Sequence, residues 1–392
     1  MDLNIDWPNR GHEYSAEDLK IVEEIIYDNN TSLSKGKYVQ MFEDKFSKLI
    51  GYESHTTMSG AHALDLAAML IDTNANDEII IPAHTYCASA LSFVRYNANI
   101  KWADIDKESL TISLASIKRL VTNKTKAIVV VHLYGLICPE IQDIINFAKK
   151  KNIIVIEDCA QSLGASVKNK SCGSFGDISC FSFHSQKNIT TFGEGGMISV
   201  KNKDYSKIIT NYRHNGHQPF ENQKNYWLPA MTDVKLLKRD YFPFKSTMSE
   251  IQGALGYKLL DKLDNFTEQR RALSKKIKSS LDHLPELSFQ KFSIKESHSH
   301  HLLPVKIESD KWNRDDMILK LYNDYKIKCV IQYYPLNRYD LFKKLNFDST
   351  DLQNTNEFYD NMLSIPFSII LNDQQVDFLI ESIIKSIQEL NS

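Results

Sequence analysis

The sequence predicts an α/β fold, with a mostly parallel sheet in a large domain followed by a smaller C-terminal α+β domain. Three observations support this fold class. Short, almost continuous apolar runs recur at roughly 20–30-residue intervals, helical stretches separate them, and short strands and helices follow after about residue 287. Strands buried on both faces of a parallel sheet are apolar throughout, and each crossover between them requires a connection such as a helix.

Six apolar runs predict the strands of the large sheet, at 78–81, 100–103, 127–132, 153–156, 180–183 and 197–200. In sheets of this kind, ligands bind just beyond the carboxyl ends of the strands. Chemistry is therefore expected at Asp158, which follows the fourth run, and in the segment after Phe183.

A long helical pattern over about 249–284 would link the two domains. Beyond it, the sequence predicts a strand at 301–305 and a final amphipathic helix around 376–390. We therefore expect a large domain with an N-terminal arm over residues 1–250, and the linking helix with the small domain over residues 251–392.

Bulk properties exclude several classes of protein. The 392 residues are 42% apolar and 24% charged, and a net charge of −2 indicates neither a nucleic-acid-binding nor a membrane-binding surface. The N-terminus lacks a basic segment followed by an apolar run, and no apolar stretch is long enough to cross a bilayer, so we expect a cytoplasmic protein. Six scattered cysteines without a C-x-x-C pair are typical of core residues in a reducing compartment.

The strongest candidate for chemistry is Lys187, in the stretch F-S-F-H-S-Q-K-N-I-T-T-F-G-E-G-G at 181–196. A strand ends, the lysine follows, and a glycine-rich turn, which would let the backbone approach a ligand closely, leads to the next strand. A lysine that loses its proton through desolvation can serve as a Schiff-base nucleophile. The alternative is a solvated surface lysine followed by a hairpin turn.

Asp158 is the second candidate, in V-I-E-D-C-A-Q-S-L-G at 155–164. A buried carboxylate at a strand end needs a partner, because an unpaired buried charge is costly. The protonated ring nitrogen of pyridoxal 5′-phosphate (PLP) would be such a partner. The alternative is that Asp158 caps the N-terminus of a helix.

Two further segments give weaker signals. The stretch T-M-S-G-A-H-A-L-D-L-A at 57–67 is a small-residue turn entering a helix, and free N–H groups at a helix N-terminus suit a phosphate, although many helices begin in this way. In P-A-H-T-Y at 82–86, Tyr86 follows a strand, where it can lie on a flat ring or belong to the core.

These segments, in this order and spacing, resemble the DegT/StrS-type sugar aminotransferases, which are fold-type I PLP enzymes. The resemblance covers roughly residues 33–390 and is strongest between 157 and 196. The matching stretches are S-G-A-H-A-L at 59–64, P-A-H-T-Y at 82–86, D-I-D at 104–106, V-H-L-Y-G at 131–135, E-D-C-A-Q-S-L-G-A at 157–165, G-S-F-G-D-I-S-C-F-S-F-H at 173–184, K-N-I-T-T at 187–191 and M-S-E-I-Q at 248–252.

The resemblance implies a homodimer whose active sites are shared between subunits, and it implies a role for each matching residue. Lys187 would carry PLP and move a proton to or from the amino-bearing carbon. The other implied roles are phosphate binding for Gly60, Ala61 and Ser182, stacking on the ring for Tyr86, pairing with the ring nitrogen for Asp158, and contact near the ring hydroxyl for Gln161.

The chain also departs from the family pattern. The family usually has Thr or Ser after the glycine, where Ala61 offers only its backbone N–H, and Phe192 is an extra residue before the G-E-G-G turn. Where the partner subunit usually offers an asparagine to the phosphate, this chain has Y-F-P-F-K-S at 241–246, and Lys245 would replace that contact. A family P-L-H motif becomes P-L-N here, which ends at Asn337.

We therefore expect an aminotransferase that moves an amino group from L-glutamate, with L-glutamine as the alternative donor, to a keto-sugar, preferably nucleotide-linked, in amino-sugar or surface-polysaccharide biosynthesis. Tyr333, Tyr334 and Asn337 are the candidate substrate contacts. Other possible acceptors are a cyclitol ketone or a small phosphorylated ketone.

Three further hypotheses are weaker. PLP-dependent sugar dehydratases of the family have histidine in place of the lysine, so Lys187 argues against that activity. Non-catalytic sensors with this fold usually append a DNA-binding module, and the sequence has no basic extension. His298, His300 and His301 suggest a metal site, but successive side chains of a strand point to opposite faces, so we expect no metal.

Overall fold

The computed structural model describes residues 4–34, 36–219, 225, 227, 231–234, 236, 242–349 and 351–392. Its α-helices are α1 (Ala16–Tyr27), α2 (Lys37–Ile50), α3 (Gly60–Leu70), α4 (Ala88–Val94), α5 (Leu114–Leu120), α6 (Ile141–Lys150), α7 (Lys203–Tyr212), α8 (Glu250–Leu259), α9 (Leu263–Leu281), α10 (Arg314–Tyr325), α11 (Asp340–Leu345), α12 (Gln353–Asn361) and α13 (Asp373–Asn391).

The strands are β1 (Glu53–Thr57), β2 (Glu78–Pro82), β3 (Asn99–Ala103), β4 (Thr125–Val131), β5 (Ile154–Asp158), β6 (Ser166–Val167), β7 (Lys170–Ser171), β8 (Ile178–Ser182), β9 (Gly196–Val200), β10 (His217–Pro219), β11 (Met231–Val234), β12 (Leu287–Phe289), β13 (Leu303–Ile307) and β14 (Met362–Ile365). Single-turn 3₁₀ helices lie at Leu133–Gly135, Leu260–Lys262, Lys295–Ser297 and Leu336–Arg338.

The central sheet has seven strands in the order β1-β9-β8-β5-β4-β2-β3. Strands β3, β2, β4, β5 and β8 pair in parallel, and β9 pairs antiparallel with both β8 and β1. Only β9 therefore runs against the rest of this sheet. The predicted α/β class with a mostly parallel sheet is confirmed.

Helices cover both faces of this sheet, which explains why its strands are apolar runs. Ile79 and Ile81 pack into a core with residues of α3, α4 and α7, whereas Ile80 between them packs on the opposite face. That second core contains residues of α2, α5, α6, α8 and α9. Because successive side chains of a strand point to opposite faces, each strand contributes to both cores.

The C-terminal part contains a three-stranded antiparallel sheet in the order β12-β13-β14. Its core includes residues of α9, α10 and α13. The helical pattern predicted at 249–284 forms two helices, α8 and α9, separated by the 3₁₀ turn Leu260–Lys262. We keep the division into domains at residues 250 and 251 as a proposal.

Two elements differ from the sequence-based expectation. Strand β1 was not among the six predicted strands, because E-S-H-T-T contains no apolar run, although Ser54, Thr56 and Thr57 are buried. The strand expected at 301–305 lies at Leu303–Ile307, two residues later. None of the described helices combines the length and the hydropathy that crossing a bilayer requires.

Candidate active site

The ends of β5 and β8 and the start of α3 lie together at one edge of the central sheet. Asp158, the last residue of β5, lies opposite Cys180 of β8, and β8 ends two residues later at Ser182. Thr57, the last residue of β1, and Ser182 both lie opposite Gly196 of β9. The turn that leads from β1 into α3 is therefore adjacent to the end of β8.

Two glycines allow that turn to lie against the sheet. A Cβ on Gly196 would lie 2.3 Å from the carbonyl carbon of Ser59, and a Cβ on Gly60 would lie 2.9 Å from the Cβ of Ser182. Gly60 and the exposed Ala61 are the first residues of α3, where N–H groups lack partners within the helix. These donors and the positive end of the helix dipole form a binding site suited to a phosphate.

The loop between β8 and β9 positions Lys187. The Lys187 N–H donates to the carbonyl of His184 (2.8 Å). A Cβ on Gly195 would lie 2.0 Å from Oγ1 of Thr191. Gly195 and Gly196 thus allow segments of the protein to pack closely against each other. The sequence-based hypothesis was different, since it expected the glycines of this turn to let the backbone approach a ligand.

The ammonium group of Lys187 is desolvated. Burial lowers the pKa of Lys187 from 10.5 to about 8, and the negative charges of Asp158 and Glu194 oppose this shift. Because desolvation prevails, an appreciable fraction of the side chain is the neutral amine near neutral pH, which is the nucleophilic form. The alternative of a solvated surface lysine is wrong.

The Asp158 carboxylate is buried and accepts hydrogen bonds from neutral donors only. The Ser89 hydroxyl donates to Oδ2 (2.7 Å), and the Ala160 N–H donates to Oδ1 (3.1 Å). Within the described part of the chain, no side-chain nitrogen of Lys, Arg or His lies within ion-pair distance of it. Residues 159–164 form turns rather than a helix, so the helix-cap alternative is wrong.

Gln161 is held at both ends of its amide group. Its Oε1 accepts the N–H of Tyr134 (2.6 Å), and its Nε2 donates to the hydroxyl of Tyr333 (2.8 Å). Tyr134 is buried with a φ of 62°, and its hydroxyl donates to the carbonyl of Gln332 (2.5 Å). This network fixes Gln161 and Tyr333 next to each other beside Asp158.

Tyrosines surround the open side of the site. The rings of Tyr86 and Tyr333 meet edge to face, with centroids 6.1 Å apart, and Tyr86 is 57% exposed. Tyr334 is also exposed and packs against Tyr359. Asn337 lies in the turn Leu336–Arg338, and its buried Oδ1 has no hydrogen-bond partner among the described residues. The predicted roles of Tyr86, Tyr334 and Asn337 remain predictions.

Lys245 is exposed and lies close to the turn into α3 of its own chain. Its backbone forms an isolated antiparallel bridge with His214, and the neighbouring Ser246 accepts the Met58 N–H at 3.2 Å through Oγ. No described carboxylate forms an ion pair with its ammonium group. Tyr241, at the start of the same stretch, lies outside the described residues. The expected contact of Lys245 with a phosphate in the partner subunit stays a prediction.

A buried histidine–glutamate pair fastens β4 to β5. His132, Glu157 and Cys159 are the described residues whose ligand atoms have the spacing of a metal site. However, His132 Nε2 lies 2.8 Å from Glu157 Oε2, and its Nδ1 accepts the Cys138 N–H. Glu157 also accepts three backbone N–H groups. Its acceptor sites are used within the protein, which favours a structural role.

The three histidines at 298–301 face different surroundings. The rings of His298 and His300 stack with centroids 3.8 Å apart, and His298 bonds Gln290. His301 lies near Lys187. Burial holds the pKa of His301 well below its ordinary value, and the positive charge of Lys187 lowers this pKa further.

These residues fit PLP. Asp158 is a buried carboxylate with no charged partner, which the protonated ring nitrogen would supply. Lys187 is a desolvated amine suited to the aldehyde, and the first turn of α3 is a site for the phosphate. Gln161 and Tyr86 both contact Tyr333, and the contacts that the resemblance implies for them with the cofactor ring stay predictions.

Sequence reasoning missed Ser89 and Tyr134. Ser89 lies on α4, three residues after Tyr86, and nothing local connects it with Asp158. Tyr134 lies in the quoted V-H-L-Y-G stretch, but its left-handed backbone, which turns its N–H toward Gln161, gives no signal in the sequence.

Comparisons with known proteins agree with this site. Residues 13–384 match the DegT/DnrJ/EryC1/StrS aminotransferase family. The GDP-perosamine synthase of Vibrio cholerae is 31% identical over 345 residues, which are 88% of this chain and 89% of that protein. The spore coat polysaccharide biosynthesis protein SpsC of Bacillus subtilis is 28% identical over 356 residues, 90% of each chain.

A solved structure has the same fold. It is a protein of Streptococcus pneumoniae, described as a sugar aminotransferase and solved in its PMP form. It superposes with a TM-score of 0.89 over 98% of this chain and 100% of its own, at 22% identity.

Proposed function

The chain belongs to the DegT/DnrJ/EryC1/StrS aminotransferase family, and on this basis we propose that it is a PLP-dependent enzyme that transfers the amino group of L-glutamate to a nucleotide-linked keto-sugar. The observation that supports this most strongly is the pairing of a desolvated lysine with a buried carboxylate that lacks a charged partner. Products of this kind would serve polysaccharide biosynthesis, as the names of the similar proteins suggest.

We assign the following residues to the cofactor. Lys187 binds it covalently, Asp158 pairs with the ring nitrogen, Gln161 contacts the ring hydroxyl, and Tyr86 stacks on the ring. Gly60, Ala61 and Ser182 hold the phosphate. When bound, PLP supplies a ring that accepts the electron pair left when a proton leaves the amino-bearing carbon.

The residues of the chain then orient the reactants and move one proton. Once released as a free amine, Lys187 is a base whose pKa of about 8 lies near the operating pH, as efficient proton transfer requires. Ser89 and the Ala160 N–H hold the Asp158 side chain in position, because the hydroxyl and the N–H both donate hydrogen bonds to its carboxylate oxygens. Gln161 is itself held by Tyr134, so the position of its amide is fixed before substrate binds.

The open side of the site, with Tyr86, Tyr334 and Asn337, would receive the sugar. Exposed aromatic faces can lie on a sugar ring, and the unpartnered Oδ1 of Asn337 can accept a hydroxyl hydrogen bond. We further propose a cytoplasmic homodimer in which Lys245 of one subunit approaches a phosphate of the cofactor or the acceptor bound to the other.

Two measurements test the proposal. Borohydride reduction of the PLP-loaded protein, followed by peptide mass analysis, should place the label on Lys187, and a label on another lysine would refute the site. In a separate sample of unreduced, PLP-loaded protein, L-glutamate should convert the bound cofactor to its amino form, and a keto-sugar nucleotide should convert it back to the aldehyde form. If a cyclitol ketone or a small phosphorylated ketone, but no keto-sugar nucleotide, converts the cofactor back to its aldehyde form, the proposed acceptor is wrong.

A further inference from the structure

A small cavity lies behind Lys187, on the side covered by the N-terminal segment. The segment Trp7–Gly11 crosses the Lys187 loop: the Gly11 N–H donates to the carbonyl of Ser185 (2.9 Å), and Gln186 Nε2 donates to the carbonyl of Pro8 (3.0 Å). A Cβ on Gly11 would lie 1.8 Å from the Lys187 carbonyl oxygen, so the two segments are in close contact. The cavity lies between these two segments and the residues around His301 and Gln332, and it is partly open to solvent.

The cavity is lined by cations and by no acidic residue. Arg10, Lys187 and Arg270 all contribute to its wall, and none of its lining residues is an Asp or a Glu. Arg10 is exposed and has no ion-pair partner in the described part of the chain. The two arginines keep their charge when Lys187 carries the cofactor, and two positive groups around one small volume raise its electrostatic potential, which favours an anion.

Arg270 is the most unusual of these cations, because it is buried and pairs with no carboxylate of the described residues. It is 1% exposed, and its hydrogen bonds go to the carbonyls of Gly11 (2.7 Å) and, less closely, His300 (3.3 Å) and His301 (3.5 Å). Its Nε has no partner among the described residues. Burial lowers the pKa of Arg270 to about 10. A buried guanidinium with an unused donor lacks the counter-charge that such a group normally has.

Two other lining residues also have unused polar atoms. Nδ1 of His301 and Oε1 of Gln332 are buried and have no hydrogen-bond partner in the described structure. Buried polar groups are almost always hydrogen-bonded, so several unpartnered atoms around one cavity indicate an absent ligand or solvent. Of these atoms, the Nε–H of Arg270 and, in its Nδ1–H tautomer, the ring of His301 can donate to a carboxylate, whereas Oε1 of Gln332 can only accept.

We propose that this cavity binds a carboxylate group of the amino-acid donor, with Arg270 and Arg10 as the cations that hold it. The inference rests on the proposed function, since it names the part of the site that would recognise L-glutamate. The cavity measures about 40 Å³, which is room for a few waters or one carboxylate and excludes a nucleotide-linked sugar. The sugar would therefore approach on the other side, where Tyr86 and Tyr334 are exposed.

The competing explanation is that Arg270 only fastens the N-terminal segment through the Gly11 carbonyl. Removing that bond would lower stability but would leave the affinity for carboxylates unchanged. Arg10 separates the two explanations, because it is exposed and forms no ion pair with a described residue, so its loss should not affect folding. Arg270→Lys keeps the positive charge but removes the Nε–H donor that has no partner in the wild type.

The test measures the binding of glutarate, an unreactive dicarboxylate, to the PLP-loaded protein by calorimetry. Arg10→Gln and Arg270→Lys should each raise the Kd for glutarate at least tenfold. Arg119→Gln, which removes an exposed arginine from the last turn of α5, is the matched control for net charge and should leave this Kd unchanged. The weakening should diminish at high salt, because screening already reduces the wild-type affinity.

Unchanged glutarate binding in Arg10→Gln would overturn the proposal, even if Arg270→Lys failed to fold. A lower Tm for Arg270→Lys without any change in glutarate affinity would assign it to fastening the N-terminal segment alone. Failure of the proposed function would look different: the wild-type protein would bind glutarate and react with L-glutamate, but no keto-sugar nucleotide would restore the cofactor.

Discussion

The ammonium group of Lys187 should titrate near pH 8 in the cofactor-free protein. Burial lowers its pKa from 10.5 to about 8 against the opposing charges of Asp158 and Glu194. At pH 7 about one-tenth of the side chain would then be neutral, compared with about 3 in 10,000 for a lysine that titrates at 10.5, a difference of roughly 300-fold. That factor is the increase in the fraction of neutral amine that the site produces before any cofactor binds.

Competitive acylation with trace acetic anhydride over pH 6–11, followed by peptide mass analysis, measures this titration for individual lysines. The exposed Lys107 in the same digest supplies the reference curve. Replacing Asp158 with Asn should lower the midpoint of Lys187 further, because the Asp158 charge raises that pKa in the wild type. A wild-type midpoint near 10.5, or a rise in Asp158→Asn, would contradict the electrostatic account of the site.

Four substitutions, including Asp158→Asn with a different readout, test the roles proposed for the site. Asp158→Asn should fold normally, as judged by circular dichroism, yet its kcat should fall at least tenfold, because an amide cannot keep the ring nitrogen protonated. Each ~1.4 kcal/mol added to the barrier lowers the rate by a factor of ten. A near-normal kcat would exclude the pairing of Asp158 with the ring nitrogen. Gly60→Ala should raise the Kd for PLP about tenfold in a fluorescence titration of the cofactor-free protein, because the new Cβ would lie 2.9 Å from the Cβ of Ser182. Ala61→Ser changes an exposed position and should leave the Kd for PLP unchanged or lower it. Lys245→Ala should raise the Kd for PLP or the KM for the acceptor, most strongly at low salt; constants equal to wild type over a range of ionic strength would show that Lys245 contacts no phosphate.

The parts of the fold that the sequence predicts are those with a strong local signal. Each of the six apolar runs became a strand of the central sheet, since only strands covered on both faces are apolar throughout. Strand β1 lacks that signal, because its buried residues Ser54, Thr56 and Thr57 are polar. Pairing with β9 stabilises β1, and that contact joins residues far apart in the sequence.

The same distinction holds for the site. The positions of Asp158 at the end of β5 and of Lys187 in the loop after β8 were predictable from the apolar runs that precede them, and ligands of parallel sheets bind at this edge. Ser89, Tyr134 and Arg270 were not, because each acts through a residue that is distant in sequence. For Tyr134 the decisive feature is a left-handed backbone at a non-glycine residue, which no sequence pattern indicates.

The unfavourable electrostatics of this site also link the binding of the cofactor to the stability of the folded chain. A desolvated Lys187, a carboxylate at Asp158 with no charged partner and a buried Arg270 with an unused donor each lower the stability of the empty protein. The burial of many apolar side chains in the two cores of the central sheet offsets these unfavourable terms. A ligand that supplies the missing charges binds only the folded state and therefore stabilises it by mass action. The ring nitrogen of PLP would balance the charge of Asp158, and a donor carboxylate would balance the charge of Arg270. Each binding step would therefore remove one of the unfavourable terms that lower the free energy of unfolding of the empty protein.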